Sequence, residues 1–208
     1  LPSNVVQADS LEHAITLLAS AGKGLLDICE ICGGEARTSK LGIRRRLSVG
    51  RNFDLVCNVD LNSPTEQKKV LHYIREHKVM VVIMSPTCGP FGALSHLVRA
   101  AQPQGWAASY AKAAPHGRFC GVVALMQLRE GRHFVNEQPD PSDLYLEEPW
   151  PKVLVHPSVV SLRWHRCQTG LKVGRLPAKK ASRWVASHPL LIQGFEGKIC
   201  KDRHLHAS

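Results

Sequence analysis

The chain has 208 residues, is 44% hydrophobic and carries 27 Lys and Arg against 17 Asp and Glu, a formal net charge of +10. Its apolar content excludes a disordered chain, and the basic excess points to an anionic partner, of which nucleic acid is the commonest. Its seven cysteines, an odd number set mostly inside apolar runs, argue against a disulfide framework and imply an intracellular compartment, nucleus or cytoplasm; no apolar run reaches the ~18 residues of a membrane span, so no membrane partner is expected.

The opening LPSNVVQADS has neither Met nor a signal-peptide pattern and reads as a piece of a longer chain. Apolar residues at helical spacing predict a helix over 9–21, closed by a glycine. GLLDICEIC predicts a buried strand over 24–31 that feeds the turn Gly33-Gly34, followed by a helix in EARTSKLGIRRRL. FDLVCNVD reads as a second strand ending on Asp60. SPTEQKKVLHYIREH opens with Ser63 as N-cap, Pro64 at the first helical position and Glu66 three residues after the cap, which is a capping box. VMVVIM is a third strand and delivers Cys88 in SPTCGPFG.

Residues 95–115 read as helical in part, and GRFCGVVALMQLREG as a further helix. RHFVNEQP is a fourth strand ending on Glu137, VVSLRWHRC a fifth, and SRWVAS a sixth; the basic stretch 170–183 between these last two reads as loop. This strand–helix rhythm predicts one α/β domain over 1–208, a Rossmann-like open and mostly parallel sheet with helices on both faces.

Ligands of such sheets bind outside the carboxyl ends of the strands. Those ends carry Glu30 with Gly33 and Gly34, then Asp60, then Pro86 and Cys88, then Glu137. Glycines allow close approach of backbone to a ligand, and an acid on the next strand end is placed to accept ribose hydroxyl protons. There is no G-x-G-x-x-G and no Walker lysine loop. Cys88 is open to three readings: a small core residue, a metal ligand or a nucleophile activated by nearby positive charge.

In this order, Glu30-Ile31-Cys32-Gly33-Gly34, Pro86-Thr87-Cys88-Gly89-Pro90-Phe91 and Asn136-Glu137-Gln138 resemble the motifs of class I S-adenosylmethionine-dependent methyltransferases, and among them the DNA cytosine-5 methyltransferases. GGEARTS, NFDLVCNVDLN, HGRFCGVVALMQLREGRHFVNEQP and EEPWPKVL are similar to short methyltransferase-like domains found inside retroelement-type polyproteins, a likeness that runs over roughly residues 24–206. The resemblance implies a class I methyltransferase fold. It also implies a flipped-out cytosine in nucleic acid, DNA before RNA, attacked at carbon 6 by Cys88 while Glu137 holds ring nitrogen 3. Carbon 5 would take the methyl group. Glu30, Gly33, Gly34, Asp60 and Pro86 would hold S-adenosylmethionine, and Arg163 or Arg166 would sit over the base or its phosphate.

The chain departs from the pattern at Thr87, where the family has proline, at Gly89, where it has glutamine, and at Ala36, where it has glycine. It also lacks room for a large target-recognition region. The alternative reading is therefore a catalytically inactive nucleic-acid-binding module on the same scaffold.

Cys200, His204 and His206 form C-x3-H-x-H in the tail 196–208, and Cys167 on the fifth strand is a candidate fourth ligand. Two thiolates and two imidazoles suit a structural zinc.

Overall fold

The computed structural model describes residues 26–202 and 204–207. The helix expected over 9–21 lies outside them. Strand β1 (Ile28–Ile31) is followed by helix α1 (Arg37–Arg44), β2 (Val49–Phe53), α2 (Pro64–Glu76) and β3 (Val81–Met84). Next come α3 (Ser95–Ala101), α4 (Pro103–Arg129), β4 (His133–Pro139), α5 (Trp150–Leu154) and β5 (Val160–His165). The short strands β6 (Lys172–Val173) and β7 (Leu176–Pro177) precede β8 (Ala181–Ala186).

Six strands form one sheet in the order β2-β1-β3-β4-β8-β5, with β1 to β4 mutually parallel and β8 antiparallel to both its neighbours. The α/β architecture is as expected, a mostly parallel mixed sheet flanked by helices and compatible with a Rossmann-like fold. From β1 the chain first moves outward to β2 and then returns to the other side of β1 as β3. That reversal puts a topological switch point between β1 and β3, where open α/β sheets bind ligands.

Both sheet faces are covered, as the near-continuous apolar strands require. Cys29, Ile31, Val82, Met84 and Phe134 pack with Val70 and Ile74 of α2, Phe119 and Val123 of α4 and Trp150 of α5. The alternate residues Ile28, Val81 and Val135 meet Ala186 and Ile192 on the other face. Alternation along the strands thus sorts one run of apolar residues into two cores.

Three expectations are corrected. The second strand is Val49–Phe53, and FDLVCNVD mostly lies beyond it: Asp54 accepts from the Val56 amide at 3.0 Å and starts a 3-10 turn over Leu55–Cys57, which Asn58 ends in the left-handed region. The two helices expected around residue 115 are one, because α4 runs through Pro115 without breaking. The stretch read as loop contains a small hairpin, with Lys172 opposite Pro177 and Val173 opposite Leu176. The capping box forms in part as read, with Ser63 Oγ accepting from the Glu66 amide at 3.5 Å.

Candidate functional site

A cleft of about 480 Å³ opens at the switch point. Cys32 and Gly34 after β1, Asp54 after β2, Asp60, Ser85 and Thr87 after β3, and Lys112 and His116 of α4 are among the residues that line it. The turn after β1 is built by the neighbouring strand. Gly34 has a φ of +54 and donates its amide to Asp54 Oδ2 at 2.9 Å, while Asn52 Nδ2 donates to the Gly34 carbonyl at 2.9 Å. At Gly33 a β-carbon would lie 2.7 Å from both Asn52 Oδ1 and Glu30 Oε2, so no side chain fits there.

The sequence-derived residues divide on this geometry. Gly34 and Asp60 line the cleft, and Asp60 Oδ1 accepts from the Asn62 amide at 2.9 Å. Glu30 is only 4% exposed, and its Oε1 accepts from the Ser39 amide at 2.6 Å, so it anchors α1 to β1. Gly33 supplies the close approach beside it. Pro86 is buried, and its carbonyl accepts from Gln138 Nε2 at 2.7 Å.

Sequence reasoning missed Asp54 and His116. Asp54 directly follows the last residue of β2, and the motif NFD carries that signal once the strand is ended at Phe53. His116 faces Asn62 Oδ1 through Nδ1 at 3.0 Å, and its Nε2 is buried without a hydrogen-bond partner. Burial lowers its pKa, against a smaller raising effect of the Lys112 carbonyl and the charges of Asp60 and Asp54.

Cys88 sits on a loop pinned at both ends. Gln138 of β4 holds Pro86; Trp106 Nε1 of α4 donates to the Pro90 carbonyl at 3.3 Å, and Phe91, 1% exposed, packs edge-on to Tyr110 with ring centres 5.7 Å apart. Between these anchors Cys88 is half-buried, unlike the fully buried Cys29 and Cys120. That geometry argues against the core reading, and Cys88 is not among the clustered metal-ligand candidates.

Met84, the last residue of β3, pairs with Asn136 of β4, so the Cys88 loop leaves β3 at the level of Glu137; the fourth strand does not end there as expected but runs on to Pro139, with Glu137 opposite Trp184 of β8. Glu137 Oε1 accepts from Arg166 Nη2 at 2.6 Å, and Arg166 Nε donates to Ser182 Oγ at 2.8 Å. Of the two arginines named from sequence, Arg166 is the one at Glu137; Arg163 pairs instead with Asp140 at 2.9 Å. Neither Cys88 nor Glu137 is among the residues lining the cleft, which reaches this loop through Ser85 and Thr87.

Cys167, Cys200, His204 and His206 come together as read, their ligand atoms all within 4.8 Å of one another. Cys200 Sγ lies 3.4 Å from His206 Nε2 and 3.8 Å from His204 Nε2. Zinc–ligand lengths put the sulfur–nitrogen edge of a tetrahedral site at roughly 3.6 Å, so the spacing already suits one ion. The tail is brought there by backbone: the Lys198 carbonyl accepts from the His165 amide at 2.9 Å, and His165 Nδ1 accepts from the Cys200 amide at 2.9 Å. The cluster can bind a metal ion.

Among the described residues no helix is long and apolar enough to cross a membrane. No protein-family model matches the chain, and no curated protein matches it.

Proposed function

We propose that the chain is an S-adenosylmethionine-dependent methyltransferase of the class I fold that acts on cytosine in nucleic acid. The observation that carries this reading is the cleft at the switch point, bounded by the Gly33-Gly34 turn, Asp54, Asp60 and the loop that leads to Cys88. Its donor set fits the cofactor. Asp54 and Asp60 offer carboxylate oxygens to ribose hydroxyls, the space beside Gly34 is open, and the unpartnered Nε2 of His116 offers an acceptor for an amino group. When bound, S-adenosylmethionine supplies an electrophilic methyl group.

In this reading the chain's own residues prepare the base. The Cys88 thiolate adds to carbon 6 of a flipped-out cytosine, which raises electron density at carbon 5; carbon 5 would then take the methyl group and lose its proton to solvent, after which the sulfur–carbon bond breaks and the thiolate is restored. Glu137 passes a proton to ring nitrogen 3 as the thiolate adds and then holds that N–H as a carboxylate. Arg166 fixes the carboxylate of Glu137 through a charge-assisted bond, and Ser182 fixes Arg166. The anchors on Pro86 and Pro90 keep Cys88 from having to be ordered at the moment of attack. The Cys167, Cys200, His204 and His206 cluster is read as a structural zinc, because four protein ligands leave no open position for chemistry.

A second reading is a non-enzymatic nucleic-acid-binding module, favoured by the absence of Cys88 and Glu137 from the residues that line the cleft. Calorimetry separates the two. The methyltransferase reading expects one S-adenosylmethionine bound per chain, with binding weakened about tenfold or more in Asp60→Ala, the loss of a hydrogen bond to a charged group. No heat of binding in the wild-type protein rejects the enzyme and leaves the binding module.

A further inference from the structure

The positive charge of the chain is concentrated. From Arg163 to Lys201 there are nine Lys and Arg and one acid, Glu196. Within this segment the β6–β7 hairpin lies between β5 and β8, and the tail 198–202 runs back to β5 and to Lys179. Lys172, Arg175, Lys180 and Lys201 are exposed, whereas Lys179 is engaged with Asp202 at 2.7 Å.

The hairpin has no core beneath it. Leu171, Val173 and Leu176 are 37%, 63% and 43% exposed, and a ladder of two residues on each side is far below independent stability. It is held by its surroundings. The Arg166 amide donates to the Lys180 carbonyl, and the Ala178 amide to the Leu171 carbonyl, each at 2.9 Å. From the tail, the Ala207 amide donates to the Pro177 carbonyl at 2.9 Å. That tail is fixed in turn by His204 and His206, which meet Cys200 and, from the residue next to Arg166, Cys167.

We propose that the hairpin and the metal-held tail form one arm that grips the phosphodiester backbone of nucleic acid, with Lys172, Arg175, Lys180 and Lys201 on the phosphates. The metal closes the arm by tying its two ends together, so an arm without metal loses its grip. Because Arg166 bonds both to the Lys180 carbonyl of the arm and to Glu137 of β4, backbone bound on the arm lies next to Glu137. The inference rests on the reading that the chain acts on nucleic acid, but needs neither cofactor nor methyl transfer.

Fluorescence anisotropy with labelled single-stranded and duplex oligonucleotides, titrated at several salt concentrations, tests it. The zinc-loaded wild-type protein binds with a steep salt dependence. The Lys172→Ala/Arg175→Ala variant, which keeps all four metal ligands, binds more weakly across sequences. Its log–log salt slope falls by about two, near 0.9 for each duplex phosphate left without its cation. Wild-type protein stripped of metal by a chelator loses affinity as well, with circular dichroism confirming that the sheet persists. Wild-type binding with an unchanged slope in the double variant overturns the arm alone. A wild-type protein that binds neither oligonucleotide overturns the arm and the nucleic-acid reading together.

Discussion

At Gly33 the packing leaves no room for a β-carbon, since Asn52 Oδ1 and Glu30 Oε2 would each lie 2.7 Å away. Neither neighbour is free to yield. Glu30 holds the Ser39 amide and Asn52 holds the Gly34 carbonyl, so displacing either leaves a buried or half-buried polar group unpaired. Gly33→Ala is expected to cost about 1–3 kcal/mol, the range of an overpacked site, and to distort the turn that faces the cleft. Urea unfolding measures the first effect; a wild-type midpoint in the variant would mean that the turn adapts freely. Gly34 shows the other use of glycine here, a left-handed backbone with nothing within 4 Å of the missing β-carbon. The double glycine was legible in the sequence, but the two different reasons for it were not, because one lies on β2 and only the pairing of β1 with β2 brings it close. Asp54 was lost for a related reason: the apolar letters after it look like strand, yet Leu55 and Val56 are 72% and 71% exposed.

The Cys88 loop and the tail that carries Cys200, His204 and His206 are both built from short pieces with external anchors. The loop depends on Gln138 from β4 and on Trp106 and Tyr110 from α4, residues 16 or more positions away in sequence. Its position after β3 was readable from the apolar run; its anchoring was not. The tail shows the opposite balance. Three ligands stand within seven residues of sequence; the fourth, Cys167, was named from the fifth strand, but β5 ends at His165 and Cys167 sits in the 3-10 turn Arg166–Thr169 that follows it. Zinc content is expected to be one ion per chain and to be lost in Cys200→Ser, with a lower thermal midpoint on chelation, since binding energy of a structural ion is folding energy. Elemental analysis checks the content. A metal-free wild-type protein of unchanged midpoint contradicts the assignment.

For the whole molecule, burial leaves a signature in its response to acid. His116, His133 and His188 all have pKa values lowered from 6.5, first by desolvation and, for His133, also by His188, whose ring centre is 5.9 Å away. Each therefore binds fewer protons folded than unfolded. Their contribution to stability is complete above the unfolded value and is lost as the pH falls through and below it. His188→Asn removes one titrating group and keeps a side-chain acceptor for the Leu190 amide, now supplied by Nδ1 at 3.3 Å. Urea midpoints between about pH 7.5 and 5.5 are expected to fall less steeply in that variant than in wild type, which separates the effect from protonation of the metal ligands. Equal slopes in the two proteins would contradict it.

At this same scale the sheet itself was largely legible. Buried strands at regular spacing carried the α/β class, whereas the place of β2, the reversal of β8 and the hairpin before it needed tertiary contacts to define. The central claim is that Cys88 attacks a cytosine. Its most direct test is mass spectrometry of the protein incubated with S-adenosylmethionine and an oligonucleotide containing 5-fluorocytosine, whose fluorine blocks the release of the thiolate. A covalent adduct mapped to Cys88 and absent from Cys88→Ala is the predicted result. A chain that binds both partners and yet forms no adduct, or forms one equally in Cys88→Ala, contradicts the account.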